Sequence, residues 1–496
     1  MNPAIDWHAF APDVVLIATV VIILVADLLL PNRNAWQTSR IAAVGVLAAL
    51  IPVLTLAVDG QNRSMFGGAY VVDNYALALK GFFLVVAYIT ILLSVDYISE
   101  GDYYQGEFYF LLVTSVLGMS IMASARDLVT LFVALETISI PTYILAGYRK
   151  HDRRSNEAGI KYYLIGVLSS AVMLYGMSLI FGLTGTTTLS GISKWIGTHG
   201  SNAPALLTVA IFLSLVGFAF KVSAVPFHFW APDTYDGAPT PVTAFLSVAS
   251  KAGGFVAMLN IVFFGFGNDG KAWWWVVALL AAFSMTLGNL AALRQTNLVR
   301  MLAYSSIAQG GFLLVPFAAY GIARDASVRN SAFQATIVYL LIYGAMNLGA
   351  FAVLIAVARR TRTADIDSYA GLFATSPGLA LTMTIFLASL AGIPPLAGWY
   401  AKFVMFRAII EAGAHSNWAV GLAIVAAVNS VIAFFYYSGV IRQMWFRDPV
   451  GDDRRRVAVP PALGAAIALT TATVVAVGVY PELFARVGDL ATRFVS

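Results

Sequence analysis

The stretch FAFKVSAVPFHFWAPDTYDGAPTPVTAFLSVASK, Phe218–Lys251, decides how the rest of the chain is read. It places Lys221, Lys251, His228, two aspartates and four prolines inside an otherwise apolar sequence. Cations and helix breakers together are costly in an apolar setting, so the setting comes first.

Of the 496 residues, 59% are hydrophobic and 11% charged. A soluble domain carries about 25% charge. The composition therefore describes an all-α polytopic membrane protein with no room for a soluble domain. The net charge of +5 is read as loop lysines and arginines that set orientation, not as a nucleic-acid surface. The chain has no cysteine, which removes disulfides, thiolate metal sites and iron–sulfur ligands from consideration. The start, MNPAIDWHAFAPD, has no Lys or Arg. A cleaved signal peptide is not expected, and the first apolar run stays as a membrane helix.

A span needs about 20 apolar residues. About 14 are expected, near 13–30, 39–58, 74–95, 107–123, 127–148, 157–182, 204–227, 240–265, 272–292, 298–319, 333–357, 377–411, 418–441 and 459–480. One set of loops carries sixteen Lys and Arg, including Arg33, Arg149, Lys150, Arg153, Arg154, Arg454, Arg455 and Arg456; the other carries eight, including Arg63, Arg126 and Arg493. The richer side is expected to be cytoplasmic, which puts both termini outside.

DLVTLFVALETIS (Asp127–Ser139) lies over NLVRMLAYSSIAQ (Asn297–Gln309) at a shift of 170, and the same shift lays Leu117-Gly118 on Leu287-Gly288. AVPFHF (Ala224–Phe229) lies over GIPPLA (Gly392–Ala397) at a shift of 168. These matches predict two five-helix repeats, spans 4–8 and 9–13. An odd helix count inverts the second in the bilayer, as in many transporters. The expected division is 1–105 for helices 1–3, 106–266 for the first repeat, 267–446 for the second and 447–496 for helix 14. In each repeat the fourth span is broken by proline. Pro226 leaves the carbonyl of Val222 without its helical partner, and Pro394 and Pro395 do the same to Leu390 and Ala391. Broken helices at membrane depth are tolerated when buried in protein or lining a wet cavity.

Six Lys and Arg residues remain after the loop count: Lys80, Lys161, Lys221, Lys251, Lys402 and Arg407. Lys80 is expected to snorkel from a span end, and Arg407 to lie near an interface. Lys161 follows Glu157 by one turn and is either an interfacial salt bridge or the mouth of a pathway. Lys221, Lys251 and Lys402 fall inside spans. Lys251, eleven residues past Thr240, and Glu136, nine past Asp127, sit about 13–16 Å along their helices. A charge there costs about 2.5–3.5 kcal/mol and is functional by default. The bland alternative, buried ion pairs that fix helix packing, leaves three lysines with one central acid. Burial lowers a lysine pKa and a nearby carboxylate raises it, so these lysines are candidate proton carriers. His228 is either a relay or a neutral histidine that holds the break. No haem-like histidine pair and no phosphate-binding glycine motif stands out. The glycines read as helix-packing residues, so no cofactor or metal is expected to bind this chain.

HFWAPDTYDGAPTPVTAFLS (His228–Ser247), ending at Lys251, closely resembles the signature of the subunit N family of bacterial respiratory complex I, NADH–quinone oxidoreductase. DLVTLFVALETISIPTYIL around Glu136 and LAGIPPLAGWYAKF around Lys402 are similar to the same family. The resemblance implies an antiporter-like subunit with broken helices 7 and 12. Glu136 and Lys221 form the charged pair of its first half-channel. Lys251 is the central relay, Lys402 the terminal proton site and His228 a connecting relay, with Lys161 and Glu157 towards the cytoplasmic side. Lys402 in place of a glutamate, and a chain ending soon after span 14, separate it from subunits M and L. FMN, iron–sulfur clusters and quinone belong to other subunits of such a complex. The implied partners are neighbouring membrane-arm subunits and lipid in a bacterial cell membrane. The competing expectations are a multi-subunit cation/proton antiporter subunit, a structural scaffold, and a stand-alone solute transporter.

Overall fold

Apolar runs of membrane length fold as helices because a backbone in hydrocarbon must satisfy its own hydrogen bonds. In the computed structural model, which describes residues 5–29, 36–101, 103–199, 204–267, 270–449 and 456–492, nearly every segment is helical. Arg33, Arg454, Arg455 and Arg493 of the charge count lie outside the described residues.

Trp7–Leu29 (α1) and Gln37–Asp59 (α2) lead to a short antiparallel hairpin, Arg63–Met65 (β1) and Tyr70–Val72 (β2). Asn74–Glu100 (α3), Gln105–Ser124 (α4), Leu128–Ala146 (α5) and Arg153–Thr184 (α6) follow, then the amphipathic Leu189–His199 (α7). Ala205–Lys221 (α8) and Trp230–Gly237 (α9) flank the first break, and Thr240–Gly265 (α10) ends the first repeat. Gly270–Ala292 (α11), Leu298–Ile322 (α12) and Ala326–Thr361 (α13) open the second. Pro377–Ala391 (α14) and Ala397–Gly413 (α15) flank the second break, before Asn417–Phe446 (α16), Pro461–Val479 (α17) and the short Glu482–Thr492 (α18). Among the described residues, 12 helices are long and apolar enough to cross a membrane. The other two expected spans, 204–227 and 377–411, are each divided by their break.

Side-chain caps start several helices. Asp73 accepts from the amide of Ala76, Asp152 from Arg154 and Ser416 from Trp418. Each satisfies an amide that the first helical turn leaves unpaired.

The repeat is visible at atomic detail. Asp127 caps α5 by accepting from Val129 and Thr130, and Asn297 caps α12 by accepting from Val299 and Arg300. Leu128 donates to the carbonyl of Thr187, and Leu298 to that of Ala364. Thr184 Oγ1 bonds the carbonyls of Ile180 and Thr186, and Thr361 Oγ1 those of Val357 and Thr363. Gly118 lies so close to α5 that a Cβ would meet the Ile138 nitrogen at 2.8 Å. At Gly288 it would meet the Ala308 nitrogen at 2.7 Å. Two helix pairs 170 residues apart thus cross at the same small residue.

The centre is α10, wholly buried through its most apolar window, with α13 at 94%. At the rim, α16 is only 28% buried and points Ile424, Val428, Val431 and Phe435 outwards. Such a surface would be an anomaly in water and is what lipid requires. Helix α10 is not regular. Leu246–Ser250 and Asn260–Gly265 are π-helical turns, the first ending immediately before Lys251. Such turns are rare and cluster at functional sites.

Candidate functional site: a buried lysine string between two broken helices

Both breaks fall where proline withdraws an amide. Val225–Pro226 and Pro394–Pro395 are cis peptides, and all three prolines are exposed at the surface. In the first break the Phe220 carbonyl accepts from the Ser223 amide at 2.9 Å and the Trp230 indole at 3.1 Å. The Val225 amide donates to Ser284 Oγ at 2.8 Å. In the second, Leu390 and Ala391 do lose their helical donors. Gln309 Nε2 reaches the Leu390 carbonyl at 3.1 Å, and Lys402 Nζ reaches that of Ala391 at 2.7 Å. Gly392 makes this possible. It has φ +92, and a Cβ there would meet Lys402 Cδ at 2.7 Å.

Lys221, Lys251 and Lys402 are all buried, at 1%, 1% and 7% exposure. Among the described residues none has a carboxylate partner, and each donates to neutral oxygens. Lys221 Nζ bonds Ser139 Oγ at 2.9 Å and Tyr162 OH at 3.1 Å. Tyr162 OH in turn lies 3.3 Å from Thr142 Oγ1 and 3.4 Å from Ser250 Oγ. Ser250 precedes Lys251, whose Nζ bonds the Ser306 carbonyl at 2.7 Å and its Oγ at 2.9 Å. One residue before Ser306, Ser305 Oγ is 2.5 Å from Tyr437 OH, to which Gln309 Nε2 donates at 3.5 Å. Gln309 also bonds the Leu390 carbonyl, next to the Ala391 carbonyl that holds Lys402. Polar groups therefore lie between Lys221, Lys251 and Lys402 across both repeats, hydrogen-bonded in part and elsewhere joined only as chain neighbours, at 250–251, 305–306 and 390–391. The hydroxyls among them can both accept and donate a proton, whereas the Leu390 and Ala391 carbonyls only accept.

Glu136 is half-buried on α5 and accepts from Ser170 Oγ at 2.5 Å. It does not touch Lys221, which bonds Ser139 one turn further along the same helix. Lys161 is held by Glu157 at 2.6 Å and Asp233 at 2.7 Å, and Arg300 of α12 reaches Asp233 at 3.2 Å and Asp236 at 3.5 Å. These side chains are about a third exposed or more, apart from Asp236 at 28%. Burial alone would raise the Asp233 carboxyl, but Lys161 and Arg300 together hold it below its usual value. His228 is buried in the first break, and its Nδ1 has no hydrogen-bond partner in the structure. Among the described residues, no group of three or more His, Asp or Glu gathers as a metal site.

Lys80 does not snorkel. It is fully buried and donates to Asp13 at 2.9 Å, Tyr70 OH at 2.8 Å and Ser120 Oγ at 3.0 Å, while Tyr70 OH also bonds Asp13. Asp13 is therefore a second central acid, and the pair joins α1 and α3 to α4. Arg126, counted above as a loop charge, is likewise buried at 8% and pairs with Asp73 at 3.0 Å. Arg407 sits at the surface, paired with Glu411 at 2.8 Å. Tyr162, Ser306, Gln309 and Tyr437 carry no charge to draw attention in sequence. The repeat shift of 170 does lay Ser306 on Glu136, a signal that could have found it.

The model of the NADH:quinone oxidoreductase/Mrp antiporter membrane family matches residues 125–432. The chain is 38% identical to NADH-quinone oxidoreductase subunit N of Trichlorobacter lovleyi, covering 99% of this chain and 98% of that one. It is 42% identical to the Heliobacterium modesticaldum subunit N, covering 93% and 94%. A chain of respiratory complex I from Thermus thermophilus superposes with a TM-score of 0.78 at 31% identity, over 96% of this chain and 98% of that one. A chain of the Mrp complex from Dietzia shares the fold alone, with a TM-score of 0.84 at 20% identity over 98% and 97% of the two chains.

Proposed function

This chain belongs to the NADH:quinone oxidoreductase/Mrp antiporter family, in its subunit N branch, and from that premise we propose that it moves protons through the membrane arm of an NADH–quinone oxidoreductase. The observation that carries this is three buried lysines that have no carboxylate partner among the described residues, with polar groups set between them. A lysine bonded only to neutral oxygens is free to lose its proton to the next acceptor, which an ion-paired one is not.

In this reading protons arrive at the exposed Lys161–Asp233 cluster, on the Arg- and Lys-rich cytoplasmic side, and reach Lys221. Tyr162 and Ser250 hand them to Lys251. Ser306, Tyr437 and Gln309 lead to Lys402, from which they leave on the outer side, where both termini lie. Glu136 biases Lys221 through the Ser139 turn, and His228 lends a proton-holding group inside the first break. The repeats, 106–266 and 267–446, are the two half-channels, after 1–105 and before 447–496. Electron transfer through FMN, iron–sulfur clusters and quinone occurs in other subunits and drives this one electrostatically. The partners are neighbouring membrane-arm subunits in a bacterial cell membrane.

The test is the whole complex in proteoliposomes. With Lys221→Ala or Lys251→Ala, the complex is expected to assemble and oxidise NADH while protons moved per electron fall. An assembled variant that pumps as the parent does would sink the proposal.

A further inference from the structure

The π-helical turn of α10, Leu246–Ser250, stands directly before Lys251. It holds neither proline nor glycine, so nothing in its own residues forces it. What meets it from outside is α13. Tyr343 OH donates to the Ser247 carbonyl at 3.2 Å, and Asn347 Nδ2 donates to Ser247 Oγ at 2.7 Å. Ser247 Oγ donates in turn to the Ala244 carbonyl at 2.8 Å. Tyr343, Asn347 and Ser247 are all buried. Tyr343 and Asn347 are four apart and share a face of α13. Gly344 beside them brings the two helices close: a Cβ there would meet Phe82 at 2.6 Å and Val248 of the turn at 3.4 Å. Asn347 Oδ1 has no hydrogen-bond partner. A buried amide with an unpaired oxygen costs stability, so the residue is explained by the bond its nitrogen makes. The second repeat offers a comparison. Its last span, α16, stands where α10 stands in the first; it has no lysine and runs as regular α-helix from Asn417 to Phe446. The shift of 170 lays Tyr343 and Asn347 on Met173 and Met177, which have nothing to donate.

Resting on the proton-transfer reading above, we infer that Tyr343 and Asn347 of α13 are positioning residues, which hold the π-helical turn of α10 and so keep the Lys251 ammonium on Ser306. A π turn draws its amides from i+5 instead of i+4 and takes up about one extra residue. One residue is about 100° of helix rotation. With the turn undone, the parts of α10 on either side of it would be turned on each other by that much. Both parts are anchored, Thr243 Oγ1 on the Tyr235 carbonyl at 2.8 Å and Asn260 Nδ2 on the Met122 carbonyl at 2.9 Å. The mismatch would fall on the residues between these anchors, where Lys251 is the one charged residue. Its Nζ would then lose the Ser306 carbonyl and hydroxyl, now at 2.7 and 2.9 Å. Tyr343 and Asn347 act through Ser247 in this role and carry no proton themselves.

The experiment uses the intact complex in proteoliposomes, read for NADH oxidation and for protons moved per electron. A structure of the same preparation is read for the helical register of residues 246–250 and the distance from Lys251 Nζ to Ser306. Tyr343→Phe/Asn347→Leu removes both donors and keeps the bulk of both side chains. The turn is expected to become regular helix and Lys251 to leave Ser306. Protons per electron are expected to fall towards the Lys251→Ala value, with NADH oxidation per assembled complex unchanged. A merely structural role would not give that split, since lost packing lowers the amount assembled or the turnover and not the ratio. If the double variant fails to assemble, Tyr343→Phe alone, which removes a single oxygen, carries the same expectation to a smaller extent. The inference is overturned if an assembled variant keeps the turn with Lys251 on Ser306, whatever its pumping. It is equally overturned if the turn is lost and pumping matches the parent. Lys251→Ala, run alongside, separates the two ideas. If it pumps as the parent does, the transport reading itself has failed. If it loses pumping while the donor variants pump as the parent does, only the positioning role has.

Discussion

Lys80 and Lys402 are the same residue, both buried, in opposite surroundings. Lys80 spends its three donors on Asp13, Tyr70 and Ser120, one of them a carboxylate. Lys402 has the carbonyl of Ala391, and the Phe312 ring with its centroid 5.0 Å from Nζ. The first is a closed, neutral unit that fastens α1 and α3 to α4. The second is a lysine held by one neutral carbonyl, with no carboxylate partner among the described residues. On the proposed function, burial without a counter-ion, not burial alone, marks the proton carriers.

The largest test of that contrast is Lys80→Ala. It leaves Asp13 buried and unpaired, which costs about 3–5 kcal/mol, and the complex is expected not to assemble on a native gel. The double change Asp13→Leu/Lys80→Met should assemble and pump normally, because apolar replacement of such a pair is often neutral or stabilising by about 1–4 kcal/mol. Loss of pumping in an assembled double variant would break the contrast. Lys402→Met gives the complementary outcome. It forfeits a charged hydrogen bond of about 1.5–3 kcal/mol but removes an intramembrane charge costing about 2.5–3.5 kcal/mol. Stability is expected to change little while protons per electron fall. The smallest effect is expected at Asp233→Asn, where exposed ion pairs are worth about 0.2–1 kcal/mol each. Asp233 titrates below its usual value, so its contribution is present above the ordinary carboxylate pKa and lost as pH falls through the lowered one. A stability difference between parent and variant should thus be constant near neutrality and vanish only in acid.

Hydropathy alone made the spans legible, since each is a local run. The breaks were legible too, because proline acts on a carbonyl four residues away. The rescued carbonyls of Leu390 and Ala391 are the two expected from the prolines. What local reading misses is pairing over distance. Asp13 and Lys80 are 67 positions apart, and nothing near either announces the other. The strands Arg63–Met65 and Tyr70–Val72 have three residues each, too few for a period to emerge. The neutral links Tyr162, Gln309 and Tyr437 look like ordinary packing until the lysines are placed beside them. The π-helical turns of α10 depend on backbone geometry that its apolar sequence does not encode locally.

The glycine crossings at 118 and 288 and the twin caps at Asp127 and Asn297 show how closely the two repeats copy each other. Among the places where the copies part, one sets half-buried Glu136 in the first against buried Ser306 in the second. Two identical units related by inversion would look the same from either face of the membrane. Such an object has no way to tell inward from outward. A carboxylate on one side of that symmetry and a hydroxyl on the other helps to remove the equivalence, which the proposed function requires of any unit that moves protons one way.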